Sequence, residues 1–179
     1  MIKKNRIGQV WIETVLYTLI GLALIGMVLA FTLPKITKTQ ERILVEQSLS
    51  SIKLLDQIIN SVIENGPDNV RIYEINFKEG NLFIDSQKDI IYFQIDEMKD
   101  YYSQPDVTID DGNVKILSFG KKGSSSIKIA LNYTRYADIT FDGKNVEQRI
   151  TKSSTPYKLI IRNLGSLNQD SSNIDIRLG

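Results

Sequence analysis

From Val10 to Leu33 the chain is apolar almost without interruption and carries one charge, Glu13. As an α-helix rising about 1.5 Å per residue, this run reaches roughly 36 Å, enough to cross a hydrocarbon core of about 30 Å with some tilt. A chain of 179 residues that commits this stretch to lipid has one ordinary domain's length left for water. The preceding Met1–Gly8 holds Lys3, Lys4 and Arg6 and no acid. This bias predicts a cytoplasmic N-terminus and places everything after Pro34 on the outer side. Lys35, Lys38 and Arg42 on the outer flank dilute the bias without reversing it. A cleaved secretory signal is a poor fit, because its apolar core is about 7–15 residues long and ends at a small-residue site that is missing here.

Composition closes several chemical routes. The sequence has no cysteine and no histidine, which excludes disulfides, thiolate nucleophiles, Cys/His zinc sites and every mechanism that uses a histidine base. With 22 basic and 21 acidic residues the net charge is +1, so nucleic-acid binding through bulk charge is not expected.

Glu13 is the discriminating residue. A carboxylate deep in a spanning helix costs about 2.5–3.5 kcal/mol on insertion scales and less near an end. One reading is a shallow glutamate beside the interfacial aromatics Trp11 and Tyr17, favoured by the helix N-terminus. The other is a charge that meets a partner.

The string Lys3-Lys-Asn-Arg-Ile-Gly8-Gln9-Val-Trp-Ile-Glu13-Thr resembles the processing region of type IV pilin precursors, and its Gly-Gln-Val-Trp-Ile-Glu form is most similar to archaeal pilins with a class III signal peptide. The resemblance implies that a prepilin peptidase cuts after Gly8, that Gln9 becomes the first mature residue, and that Glu13 falls at the fifth mature position. It also implies that Glu13 pairs with the N-terminal amine of a neighbouring subunit and sets register as the apolar helices bundle. Such a cut removes three cations and creates an amine one turn before Glu13, and a buried carboxylate is tolerated when a cation satisfies it. Two departures from the common bacterial pattern, Gln9 in place of Phe and a proline as late as Pro34, favour the archaeal branch. The implied partners are further copies in a helical filament, membrane lipid before assembly, the prepilin peptidase, and an assembly ATPase with its platform.

Pro34 predicts a kink or short break in the helix. The apolar pattern then resumes at Ile36, Ile43, Leu44, Leu49, Ile52, Leu55, Ile59 and Val62, with charges between them, and Gly66-Pro67 ends it. From Val70 the period becomes two. Val70–Phe77, Val114–Phe119, Ile127–Tyr133, Ile139–Phe141, Tyr157–Arg162 and Ile174–Leu178 have strand length, and Glu79-Gly80-Asn81, Asp111-Gly112-Asn113 and Asp142-Gly143-Lys144 read as hairpin turns. Asp96–Tyr102 is open between a short helix and an irregular link, and Gly123–Ser126 reads as loop. The expectation is an α+β chain: a leader over 1–8, a membrane or filament-core helix over 9–33, an amphipathic helix over 34–66 that packs on the head, and an antiparallel, sandwich-like β-rich head over 67–179. The C-terminal strands Pro156–Asn163 and Asn173–Leu178 are also similar to the closing strands of archaeal pilin heads.

In the head, Asp106, Asp110 and Asp111 precede a glycine but lack calcium-loop spacing, so a solvated turn is expected and no metal or other cofactor. Lys121-Lys122 with Tyr133 and Tyr136 would suit base stacking, although an ordinary surface and core suit them better, and no nucleic-acid partner is expected. Asn132-Tyr-Thr134 is the glycosylation sequon, open to modification only if Asn132 faces outward. The expected role is structural rather than enzymatic: a subunit of a surface filament for adhesion or contact. The rivals are a single-pass anchored binding protein that keeps its leader, and an archaeal flagellar-filament subunit, whose helix usually lacks the glutamate.

Overall fold

The structure, a computed structural model, describes residues 6–168 and 171–179. Lys3 and Lys4 lie outside the described residues. One helix, α1 (Arg6–Glu64), is followed by ten strands: β1 (Val70–Ile75), β2 (Asn81–Asp85), β3 (Ile90–Met98), β4 (Thr108–Asp111), β5 (Val114–Lys121), β6 (Ser124–Asn132), β7 (Ala137–Phe141), β8 (Glu147–Thr151), β9 (Tyr157–Asn168) and β10 (Ser171–Leu178). The chain divides into two compact units, one ending at Gln40 and one comprising Glu41–Gly179.

Within the second unit the strands form a four-stranded sheet in the order β1-β9-β10-β7 and a six-stranded sheet in the order β4-β5-β6-β3-β2-β8. All pairings are antiparallel except β10 with β7, which is parallel. That pair departs from the all-antiparallel expectation because β7 and β10 are separated by the excursion of β8 into the other sheet, and a parallel pair needs such a crossover. Alternation buries one face of each sheet. Ile75, Leu159, Ile161, Ile174 and Ile176 of the first join Leu82, Ile91, Phe93, Ile129 and Leu131 of the second in one apolar cluster.

The helix contributes Val45, Ser48, Ile52, Leu55, Ile59 and Val62 to the buried interior. Their spacing of three and four is one stripe of a 3.6-residue helix. The stripe differs from the expected one at its start. Ile36 and Ile43 are 46% and 47% exposed, whereas Val45 is fully buried. Within the Glu41–Gly179 unit the buried stripe starts at Val45. The C-terminal stop is as expected: the Asn65 amide nitrogen donates to Ser61 O at 3.1 Å, its side chain donates to the same carbonyl at 2.6 Å, and Gly66 takes φ +80°.

Of the three expected hairpin turns, Asp111-Gly112-Asn113 joins the paired strands β4 and β5. The other two are tight turns that pass the chain from one sheet to the other. Gly80 sits between β1 and β2 at φ +90°, where a Cβ would stand 2.7 Å from both Gln94 O and the Phe93 ring. Asp142-Gly143 closes Phe141 against Lys144 and then releases the chain toward β8. Asp96–Met98 completes β3 through a bulge at Glu97 (φ +59°), which re-aims Met98 inward. Ser124–Ser126 is strand and not loop, paired with Gly120, Lys121 and Phe119 of β5.

Candidate functional site

The segment that most needs a partner is the N-terminal part of α1. From Val10 to Leu33 its side chains are exposed on every side, Trp11 by 71% and Tyr17 by 70%. A helix apolar all round is stable in lipid or among other apolar helices, not in water. The segment is long and apolar enough to cross a membrane, with a mean hydropathy of 2.3 over its best window.

Its polar groups fall into two kinds. Thr14 Oγ1 donates to Val10 O at 2.9 Å and Thr18 Oγ1 to Thr14 O at 2.8 Å, so both hydroxyls are satisfied within their own helix. Glu13 is exposed and has no hydrogen-bond or ion-pair partner among the described residues. Arg6, Gly8 and Gln9 lie on the backbone of the first turns of α1. Glu13 follows Gln9 by four residues, one helical turn, on the same face.

Pro34 lies inside α1 and the helix runs through it. Of the kink or short break expected there, no break interrupts the helix. One proline withdraws a single donor, the one that would serve the Ala30 carbonyl. Helical hydroxyl bonds continue beyond it, Thr37 Oγ1 to Leu33 O at 3.2 Å and Thr39 Oγ1 to Lys35 O at 3.0 Å.

In the head, the chemically suggestive residues turn out to hold structure. Asp111 bonds Lys53 at 2.6 Å, and Asp110, its neighbour on β4, points to the opposite face. Among the described residues no three His, Cys, Asp or Glu side chains gather into a metal-holding group. Tyr133 is fully buried, packs edge-on to the half-buried Tyr136 at 5.6 Å and donates to Asp56, so its ring is not an open stacking platform. Burial raises the Tyr133 phenol well above its ordinary value, helped by the Asp56 carboxylate. Asn132 is exposed at the end of β6 and accepts a 2.7 Å hydrogen bond from Thr134 Oγ1 within its own sequon.

Two arrangements have no counterpart in the sequence reading. Asp175 is buried and accepts from Thr140 Oγ1 at 2.9 Å and Gly143 N at 2.7 Å, with Arg177 Nε at 2.5 Å. On the other face of the six-stranded sheet Phe83 and Tyr92 stack at 4.6 Å, with Lys128 over Tyr92 at 3.8 Å and Arg149 over Phe83 at 5.7 Å. Phe83 lies in the unbroken run Leu82-Phe83-Ile84, where alternation is invisible. The Asp175 site joins β7 and β10, whose pairing no local pattern announces.

No protein-family model, no curated protein and no solved structure matches the chain.

Proposed function

We propose that this chain is a type IV pilin-like subunit: a precursor held in the membrane by α1, cut by a prepilin peptidase after Gly8, and assembled through its apolar helix into a surface filament coated by the β-rich heads. The observation that carries the reading is Glu13, a single unpaired carboxylate on a helix otherwise apolar on every side, placed five residues after the glycine that ends a basic leader. A simple tether has no use for it. An amine freed at Gln9 gives it a cation one turn away, and the exposed apolar surface supplies the driving force for bundling. Prepilin peptidase and an assembly ATPase with its platform are the implied machinery. The work of the mature protein is structural, in adhesion or surface contact, where many weak head contacts add along a fibre.

The test is intact-mass and N-terminal peptide analysis of the protein taken from its native cell surface, allowing for cyclisation of an N-terminal glutamine. A start at Gln9 is expected. An intact Met1–Gly8 leader overturns the reading in favour of an anchored binding domain.

A further inference from the structure

Resting on the assembly reading above, we propose that Tyr17 gives Glu13 a second hydrogen bond across neighbouring copies, so that the face of α1 bearing Glu13, Tyr17 and Gly21 is covered by a second copy of this chain. Thr14 and Thr18 need nothing beyond their own helix. Glu13 and Tyr17 are both exposed and have no partner among the described residues. Four residues apart, they share one face. Gly21 continues that face, and nothing stands within 4 Å of where its Cβ would be, which permits close approach of a second backbone.

The two groups are complementary. A carboxylate only accepts and has about four lone-pair sites, so the Gln9 amine leaves room for another donor, and a phenol hydroxyl supplies one. Aromatic side chains on a helix lean toward its N-terminus, which carries the Tyr17 phenol back over the turn that bears residue 13. Parallel copies in level register separate hydroxyl and carboxylate by about 6 Å along the axis, the rise of four residues, and a neighbour staggered by one turn the opposite way from the one that presents its Gln9 amine brings its residue 17 level with residue 13. In lipid both groups reach the headgroups by snorkelling. A bundle of apolar helices has no headgroup layer, and there an unpaired carboxylate or hydroxyl opposes assembly. Trp11, two residues before Glu13, lies about 200° round the helix from it, and Thr32 lies near the far end of the segment, so neither shares the face of Glu13 and Tyr17.

The test places a photoreactive side chain at the face in the full chain, as Tyr17→p-benzoylphenylalanine, in filaments grown from mixed unlabelled and ¹⁵N-labelled copies. After irradiation, cross-linked peptides of hybrid isotopic composition that join position 17 to the Gln9–Thr18 segment are expected, and Leu19→p-benzoylphenylalanine on the opposite face should not give them. Filaments in which position 17 links only within one copy, only to lipid or only elsewhere overturn the role of Tyr17 while leaving assembly standing. Absence of filaments together with an intact leader removes both readings. As a second measure, Tyr17→Phe is expected to lower filament yield roughly tenfold at unchanged membrane level. Equal yields for Tyr17→Phe and wild type overturn the proposal.

Discussion

Tyr133 Oη donates to Asp56 Oδ1 at 2.8 Å, tying the end of β6 to the middle of the head-packing half of α1 across 77 residues of chain. Asn113 Nδ2 donates to the same oxygen at 2.8 Å and reaches Tyr136 Oη at 3.0 Å, so one helical carboxylate gathers the β4–β5 turn and the segment after β6. Lys53 to Asp111 at 2.6 Å and Tyr73 Oη to Ser51 O at 3.0 Å repeat the pattern on neighbouring turns. Polar side chains thus clamp the helix to both sheets around the apolar stripe.

Removing one member of this clamp should be measurable in the head. Tyr133→Phe leaves Asp56 with its bond from Asn113 and should destabilise by about 1 kcal/mol, whereas Asp56→Ala strands a buried hydroxyl and should cost about 1–3 kcal/mol. Denaturant titration of the detergent-solubilised chain, followed by a signal from the β-rich head, tests the order. Equal midpoints for the two variants would show that Asp56 is not the common acceptor.

The same phenol makes stability fall at high pH. Tyr133 is raised by burial and by Asp56, and Tyr92 is raised from 10.0 to about 12 by desolvation and then by its bond to Glu147. An acid whose folded pKa lies above its unfolded value keeps the folded state fully favoured below the unfolded pKa. That stability is lost as pH rises through the folded pKa. The loss should therefore start near pH 10, with the Tyr92 contribution gone by about pH 12 and the Tyr133 contribution still falling. Tyr133→Phe should flatten the slope of the unfolding midpoint against pH above 10. A parallel curve would contradict the assignment.

Register along α1 gives a sharper contrast. Ile52→Ala removes a fully buried side chain of the core and should cost about 2–5 kcal/mol, while Ile43→Ala, at a 47% exposed position, should stay within about 0.5 kcal/mol. The two residues were indistinguishable members of the apolar pattern before the structure placed them. Comparable losses would mean that Ile43 belongs to the buried stripe, which here starts at Val45.

That pair also marks how much of the fold was legible. The change of period from helix to strand at Val70, the stop at Gly66-Pro67 and the β4–β5 turn are local signals and stand where the residues put them. Whether a turn closes a hairpin or crosses between sheets depends on what the next strand pairs with. Hence Glu79-Gly80-Asn81 and Asp142-Gly143-Lys144 were readable as turns but not as crossovers. Asp175 and the Phe83–Tyr92 stack required β7–β10 and β2–β3 to be paired first. For the candidate site, Glu13 was visible at once because a charge interrupts an apolar run. At Pro34 the helix continues, because the loss of one helical bond does not end a helix whose flanking turns remain intact.

Gly80→Ala probes one crossover directly. At φ +90° an L side chain is strained, and the added Cβ meets the Gln94 carbonyl and the Phe93 ring at 2.7 Å, where the backbone oxygen cannot yield. The expected cost is more than about 1 kcal/mol, beyond the ordinary penalty of alanine at positive φ. Gly143→Ala has φ +69° but open space around the Cβ, so it should cost less. A reversed order in denaturant midpoints would deny the close approach of β3 to the turn.

Glu13→Gln separates insertion from assembly. The substitution removes the charge while keeping the shape and one acceptor oxygen, the other becoming an amide donor, so membrane insertion should be retained or slightly improved, as a carboxylate in the segment is unfavourable in lipid. A cation such as the Gln9 amine would lose its partner, so assembly should fall, and in a mixed population the variant should be under-represented in filaments relative to its share of the membrane pool. Quantifying wild-type and variant peptides in both fractions by mass spectrometry gives the ratio directly. Head stability provides the internal control, since Glu13 lies outside the Glu41–Gly179 unit and the denaturation midpoint should not move. Equal incorporation, with an unchanged midpoint, would reduce Glu13 to a tolerated surface charge and leave the apolar helix as an anchor alone.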